Sequence, residues 1–134
     1  MSPLHTLRLV VVTPETTLLD EPVSSLRFPL FDGQIGILPG RAPLVGRLGF
    51  GELKIDTAAG SRSYFIEGGF VQVKGEVVSL LTQRAIPVQN INAKDAEAQL
   101  QAATQRVPTT DLEFAAKFKD QERARKMLAL THTH

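Results

Sequence analysis

Cysteine and tryptophan are both missing from this sequence of 134 residues. Without thiols there is no disulfide framework and no thiolate metal site. The net charge is only +1 and is spread evenly: residues 1–88 hold eight bases and eight acids, residues 89–134 seven and six. That leaves no basic footprint for nucleic acid and no acidic field to steer cations. Long apolar runs are lacking too. Near the start the longest strictly aliphatic run, Leu9 to Val12, is four residues, far short of a membrane span. A strand pattern begins within the first handful of residues with no basic segment before it, so no signal peptide is expected. The chain is expected to be soluble and unexported, reaching a membrane only through partners.

The constellations that carry catalysis are equally scarce. The histidines are His5, His132 and His134, none at helical spacing from another or beside a paired acid. His132-Thr133-His134 reads as a frayed tail before it reads as a metal site. No phosphate-binding loop or dinucleotide fingerprint occurs, and Gly49-Phe50-Gly51 suits a strand bulge better than a phosphate cradle. No serine sits in a nucleophile elbow. Glu67, before Gly68-Gly69, is the acid to watch, although a strand-end charge at the rim of a sheet explains it as well. The expectation is a protein without catalytic, cofactor or metal residues.

What is present falls into two regimes that meet near Pro87. Before it, apolar residues alternate: Leu7, Leu9 and Val11; Leu26, Phe28 and Leu30; Leu53 and Ile55; Tyr64 and Ile66; Val71 and Val73. Glycine and proline punctuate this pattern every eight to twelve residues or so. Each such strand offers one apolar face, so two sheets must cover each other. The reading is an N-terminal antiparallel β-sandwich of about ten short strands over residues 1–87, followed by a C-terminal two-helix antiparallel hairpin over 88–134.

After Pro87 alanine takes over. Ala93, Ala96, Leu100, Ala103 and Val107 form a narrow helical seam, with Asn92 placed to cap its start and Pro108 to end it. Thr110-Asp111-Leu112-Glu113 fits a capping box opening a second helix, expected to run to about Leu128 with a Glu122–Lys126 pair on its surface. Phe114 and Phe118 make one apolar patch on it; Ala124, Met127 and Leu128 make another. A buried methyl contributes only about 0.8 kcal/mol, against about 1–2 kcal/mol per residue to order backbone. The hairpin should therefore be marginal alone and should lean on the sandwich or on another protein. A permanently packed hairpin and one exchanging between two positions remain equally open.

The run Gly33-Gln34-Ile35-Gly36-Ile37-Leu38-Pro39-Gly40-Arg41-Ala42-Pro43-Leu44 carries the most information. Its prolines fix φ and remove donors, and its glycines allow angles other residues resist. By turn chemistry alone it is a shaped connection between two strands. The run also resembles the signature loop of the epsilon subunit of F-type ATP synthases, called delta in mitochondria. The similarity extends over nearly the whole chain, in order: Thr13-Pro14-Glu15, Leu19-Asp20-Glu21 before Val23-Ser24-Ser25-Leu26, the loop, Leu48-Gly49-Phe50-Gly51-Glu52-Leu53, Phe65-Ile66-Glu67-Gly68-Gly69-Phe70 and the Ala-rich tail.

That resemblance implies a sandwich at the foot of the rotating central stalk, against the gamma subunit and the polar loops of the membrane c-ring. It implies no chemistry in this subunit, only help in passing torque between ion flow and nucleotide turnover. It also implies a hairpin that lies folded or extends along gamma toward the alpha and beta catalytic subunits, where it restrains ATP hydrolysis. Carried over by position, Gln34, Ile35, Ile37, Leu38, Pro39, Gly40, Arg41, Ala42 and Pro43 would make the partner contact. Lys117, Lys119, Arg123, Arg125 and Lys126 would mark the regulatory arm, unless they are simply a solvated helix face. The implied location is peripheral, on the cytoplasmic side of a bacterial inner membrane.

The chain departs from the family pattern in places. Gln34 stands where the family often has an acid, and Arg41 where it often has histidine, so the ring contact would be rewritten on a loop of similar shape. Some members bind ATP through Ile/Leu-Asp-x-x-Arg-Ala, whereas Ile91-Asn92-Ala93-Lys94-Asp95-Ala96 lacks both the acid and the arginine. No ATP binding by the hairpin is expected. A competing reading from another class is a small β-sandwich ligand-binding module with a helical dimerisation hairpin.

Overall fold

Alternating aliphatics build eight strands among residues 7–38 and 43–133, the parts of the chain that the computed structural model describes. They are β1 (Leu7–Val12), β2 (Thr17–Val23), β3 (Ser25–Leu30), β4 (Gly33–Ile37), β5 (Leu44–Thr57), β6 (Gly60–Lys74), β7 (Val77–Leu81) and β8 (Ala85–Pro87). A 3-10 turn, Val88–Asn90, leads to α1 (Ala93–Gln105) and α2 (Asp111–Thr133). The chain divides into two compact units, Met1–Pro87 and Val88–His134.

In the first unit one sheet runs β2-β1-β7-β6-β5-β3-β4, with β8 pairing β6. The two long strands β5 and β6 pair from Leu44↔Val73 to Thr57↔Gly60. Their Leu44–Leu48 and Gly69–Val73 halves continue into β7, β1 and β2. Their Phe50–Thr57 and Gly60–Glu67 halves continue into β3 and β4 on one side and β8 on the other. Side chains from both halves meet in one core: Leu7, Leu9, Val11, Val71 and Leu80 from one, Leu26, Phe28, Leu53, Ile55 and Ile66 from the other. The sheet is thus folded on itself into a sandwich.

The expected class holds, but about ten short strands become eight, two of them of 14 and 15 residues. Glycines bend those two without breaking their ladders. Gly68 and Gly69 have φ of 71° and 113°, left-handed angles that other residues adopt only under strain. A Cβ on Gly69 would fall on the carbonyl oxygen of Leu81, and one on Gly49 would lie 2.9 Å from the Leu30 carbonyl oxygen. The sheet is also not wholly antiparallel, because β1 and β7 pair in parallel from Arg8↔Val77 to Val12↔Leu81. Strands so far apart in sequence have room for the crossover that parallel pairing needs.

In the second unit the caps form as read. Asn92 Oδ1 accepts the N–H of Lys94 at 2.9 Å and of Asp95 at 3.3 Å. Thr110 Oγ1 accepts the Glu113 N–H at 3.1 Å. Ala96, Ala103, Ala124 and Met127 are buried, whereas Val107 lies past the end of α1 and is 84% exposed, outside the seam. The last turns also differ: α2 continues past Leu128 to Thr133, since nothing after Leu128 is glycine or proline.

Replacing Gly69 by alanine is expected to lower the stability of the chain by at least about 2 kcal/mol, through the φ strain and the collision with Leu81. Gly36→Ala, where a Cβ meets nothing within 4 Å, is expected to change it by less than about 1 kcal/mol. Denaturant unfolding of the two variants against the parent checks both.

Candidate partner-binding surfaces

The glycine- and proline-rich run begins as a strand. Phe31 and Asp32 form a two-residue turn, after which β4 returns along β3 from Leu30↔Gly33 to Leu26↔Ile37. Alternation within β4 then decides which side chains a partner can reach. Gln34 and Gly36 are exposed, Ile35 is half-buried against the core, and Ile37 is 1% exposed within it. Ile37 is therefore a core residue and not a contact, because its register opposite Leu26 turns it inward. Leu38, 66% exposed, and Pro43 flank the loop on its described sides. Pro39, Gly40, Arg41 and Ala42 lie outside the described residues.

A second surface was not found by reading the sequence. Arg47, Phe70 and Leu81 stand abreast on β5, β6 and β7, with Val45 two residues along the same face. Val45 is 75% exposed, Phe70 58% and Leu81 53%. The Arg47 guanidinium lies 4.7 Å from the centroid of the Phe31 ring, itself 71% exposed. An apolar face rimmed by a cation over an aromatic ring is the composition of an interaction surface. The available signal was the doublets Leu44-Val45, Phe70-Val71 and Leu80-Leu81, since at period two only one of each pair can face the core.

Glu67 belongs to the bend. Its carboxylate lies 3.4 Å from Arg84 Nε, and its backbone N–H points to the Thr82 hydroxyl at 3.3 Å. It ties the bent strand to the segment after β7, as a strand-end charge would. Among the described residues no cluster of His, Asp or Glu could hold a metal ion.

On the hairpin, several of the basic side chains are engaged within the unit. Lys117 Nζ donates to the Arg106 carbonyl at 2.9 Å, where it also suits the negative end of α1. Arg123 Nη1 donates to Gln99 Oε1 at 2.9 Å, and Arg106 pairs with Asp120 at 2.7 Å across the two helices. Glu122 pairs with Arg125 at 3.1 Å, one residue closer along the helix than the expected Lys126. Lys119 and Lys126 lie on exposed positions of α2. Leu112, Phe114 and Phe118 are 82%, 59% and 64% exposed, so the first turns of α2 present an apolar patch. At the start of α2 the Glu113 carboxylate accepts the Thr109 hydroxyl at 2.8 Å and the Thr110 hydroxyl at 3.0 Å. Those two bonds, Thr109 first, hold its pKa below the usual value.

The sequence profile described as "ATP synthase, Delta/Epsilon chain, beta-sandwich domain" matches residues 6–88. The ATP synthase epsilon chain of Rhodopirellula baltica is 43% identical over 122 residues, 91% of this chain and 95% of that one. The sodium-ion-specific ATP synthase epsilon chain of Propionigenium modestum is 34% identical over 98 residues, 73% of this chain and 72% of that one. Among solved structures, a chain of the Euglena gracilis mitochondrial ATP synthase (OSCP/F1/c-ring) superposes with a TM-score of 0.87 at 24% identity, covering 100% of this chain and 84% of that one. A chain of the Tetrahymena thermophila mitochondrial ATP synthase central stalk and c-ring gives 0.75 at 16%, covering 93% and 96%. At those identities the two structures show a shared fold.

Because the native pKa of Glu113 is depressed, its contribution to the hairpin is complete above the ordinary glutamate value and is lost as the pH falls through the lowered native one. Helical ellipticity measured from pH 7 to pH 2 is expected to fall in that acid window. In Glu113→Gln the part of the fall due to this group should vanish.

Proposed function

This chain belongs to the ATP synthase delta/epsilon family, and from that premise we propose that it is the central-stalk epsilon subunit of an F-type ATP synthase. The observation that carries the reading is the match to the Rhodopirellula baltica epsilon chain, which runs through both units and not the sandwich alone. The subunit is a stalk component and not itself catalytic. It helps couple ion translocation through the c-ring to ATP synthesis, and its hairpin restrains ATP hydrolysis. Family membership also displaces the ligand-binding module as an explanation of the same pattern.

The physical roles divide between the two units. The folded sheet gives a stiff body. Gln34, Leu38 and Pro43, with the Pro39–Ala42 segment between, face the polar loops of the c-ring. The exposed face of Val45, Phe70 and Leu81 receives gamma, whose docking would remove those side chains from water. Hydrophobic burial of that kind is worth roughly 25 cal/mol per Å² of apolar surface. The hairpin is held together by small side chains and by exposed polar ties such as Arg106–Asp120, worth about 0–1 kcal/mol each. Contacts that weak let the helices separate at low cost. In the open form Phe114, Phe118 and the basic residues Lys117, Lys119, Arg123, Arg125 and Lys126 would meet the alpha and beta subunits. ATP is not a ligand of this hairpin. Among the described residues no helix is long and apolar enough to cross a membrane, in keeping with a peripheral subunit. The proposed site is the cytoplasmic side of a bacterial inner membrane.

Two experiments test this. Adding the full chain to a complex of alpha, beta and gamma is expected to lower ATP hydrolysis, and residues 1–87 alone are expected to bind gamma without lowering it. Equal hydrolysis with both would remove the hairpin from regulation. Phe70→Glu or Leu81→Glu should weaken gamma binding at least about tenfold, or 1.4 kcal/mol. Unchanged affinity would place the gamma contact elsewhere.

A further inference from the structure

We propose that the outer face of the β3–β4–β5 corner is a binding site for a phosphate-class anion, held between Arg27 and Lys54 above the bare backbone of Gly36. This inference stands whether or not the stalk reading does.

The register places Gly36, Arg27 and Lys54 side by side on three adjacent strands. Two like charges directly opposite each other in a sheet are destabilising, and the usual arrangement sets an acid against a base. Here neither cation forms an ion pair among the described residues. The acid beside them on β5 is Asp56, and its lone pairs are already directed elsewhere. Ser25 donates to Asp56 Oδ2 at 2.9 Å, and Ser61 donates to Oδ1 at 2.6 Å. Those hydroxyl bonds, Ser61 first, account for most of the lowering of the Asp56 pKa, while Lys54 and Arg27 contribute the least. The cations therefore stand near the carboxylate without being satisfied by it. Glu52, two residues along the same strand, is not among the residues that line the site.

The shape agrees with the charge. A concavity of about 300 Å³ opens over these residues, with Leu38 at its rim. The space over Gly36 is open, since a Cβ there would meet nothing within 4 Å, and a larger side chain would project into the concavity. A guanidinium fork and an ammonium group converging on one space are the donors that phosphate oxygens accept best. Two cations against one committed carboxylate leave a net positive charge for the ligand to neutralise. Free phosphate and the phosphates of a nucleotide share this chemistry, and the space is large enough for either.

The test uses the full chain labelled with nitrogen-15, titrated with inorganic phosphate at constant ionic strength against a chloride control. Saturable shifts confined to the amides of Ser25, Arg27, Gly36 and Lys54, with a thermal midpoint that rises with phosphate, are the expected result. Gly36→Val, which fills the opening, and Lys54→Gln should each weaken binding at least tenfold. Lys54→Gln should also raise the midpoint of the phosphate-free chain by relieving the like-charge pair, whereas a purely structural lysine would lower it. A parallel titration with ATP separates the sources. Shifts at the same amides together with the Leu38 amide assign the site to a nucleotide phosphate, and phosphate shifts without an ATP response assign it to the free anion. No saturable shift above the chloride control, or shifts that persist unchanged in Gly36→Val and Lys54→Gln, would overturn the proposal.

Discussion

The bend in the β5–β6 ladder governs this structure. One pair of strands serves two layers only because the backbone turns at Gly68 and Gly69 and because no side chain at Gly49 or Gly69 blocks the approach of Leu30 and Leu81. Once bent, the ladder brings Leu9, Val71 and Leu80 over Phe28, Leu53 and Ile55, and the core closes. Register is then fixed throughout, since a slip of one residue would turn every inward side chain out. The hydrogen bonds of β5 and β6 continue to either side of the corner, which makes the unit stiff across the bend.

The same geometry creates the outer faces of the two layers. A strand that is apolar on both sides must leave one set of side chains uncovered, and Val45, Phe70 and Leu81 are that set. On the other layer the outer row is polar, with Arg27, Lys54, Ser25 and Asp56 along β3 and β5. The hairpin is built on a different principle. Its caps are well made at Asn92 and Thr110, yet its buried residues are mostly alanine, which give little burial energy to set against the entropy of ordering. Good caps and a thin seam set well-formed helix starts beside a contact that contributes little burial energy.

Much of this was legible in the sequence where local chemistry decides. The inward faces of Leu7, Leu9 and Val11 and of Leu53 and Ile55 follow from period two, and both helix starts follow from a side chain placed to accept an orphan N–H. The misreadings arise where distant contacts decide. Gly68 and Gly69, which look like a strand end, proved to be a bend, because the long ladder keeps its hydrogen bonds on both sides of them. Gln34 to Ile37 read as loop from glycine content, but pairing with β3 makes them a strand and draws Ile37 inside. Parallel pairing of β1 with β7 has no local signature at all. Glu122 had two bases in reach on one helix face, at i+3 and i+4, and spacing alone does not choose between them; it pairs with Arg125.

The ends of β4 and β5 join these points. Ile37, at the end of β4, stands in a row with Leu26 and Ile55 in one layer. Leu44, at the start of β5, stands in a row with Val73, Val78 and Leu9 in the opposite layer. Ile37 and Leu44, seven residues apart in the chain, therefore stand in opposite layers of the sandwich. Each packs among the buried side chains of its own layer, and such packing has low compressibility. A displacement of Ile37 would therefore be felt across the packed core and not at the surface alone.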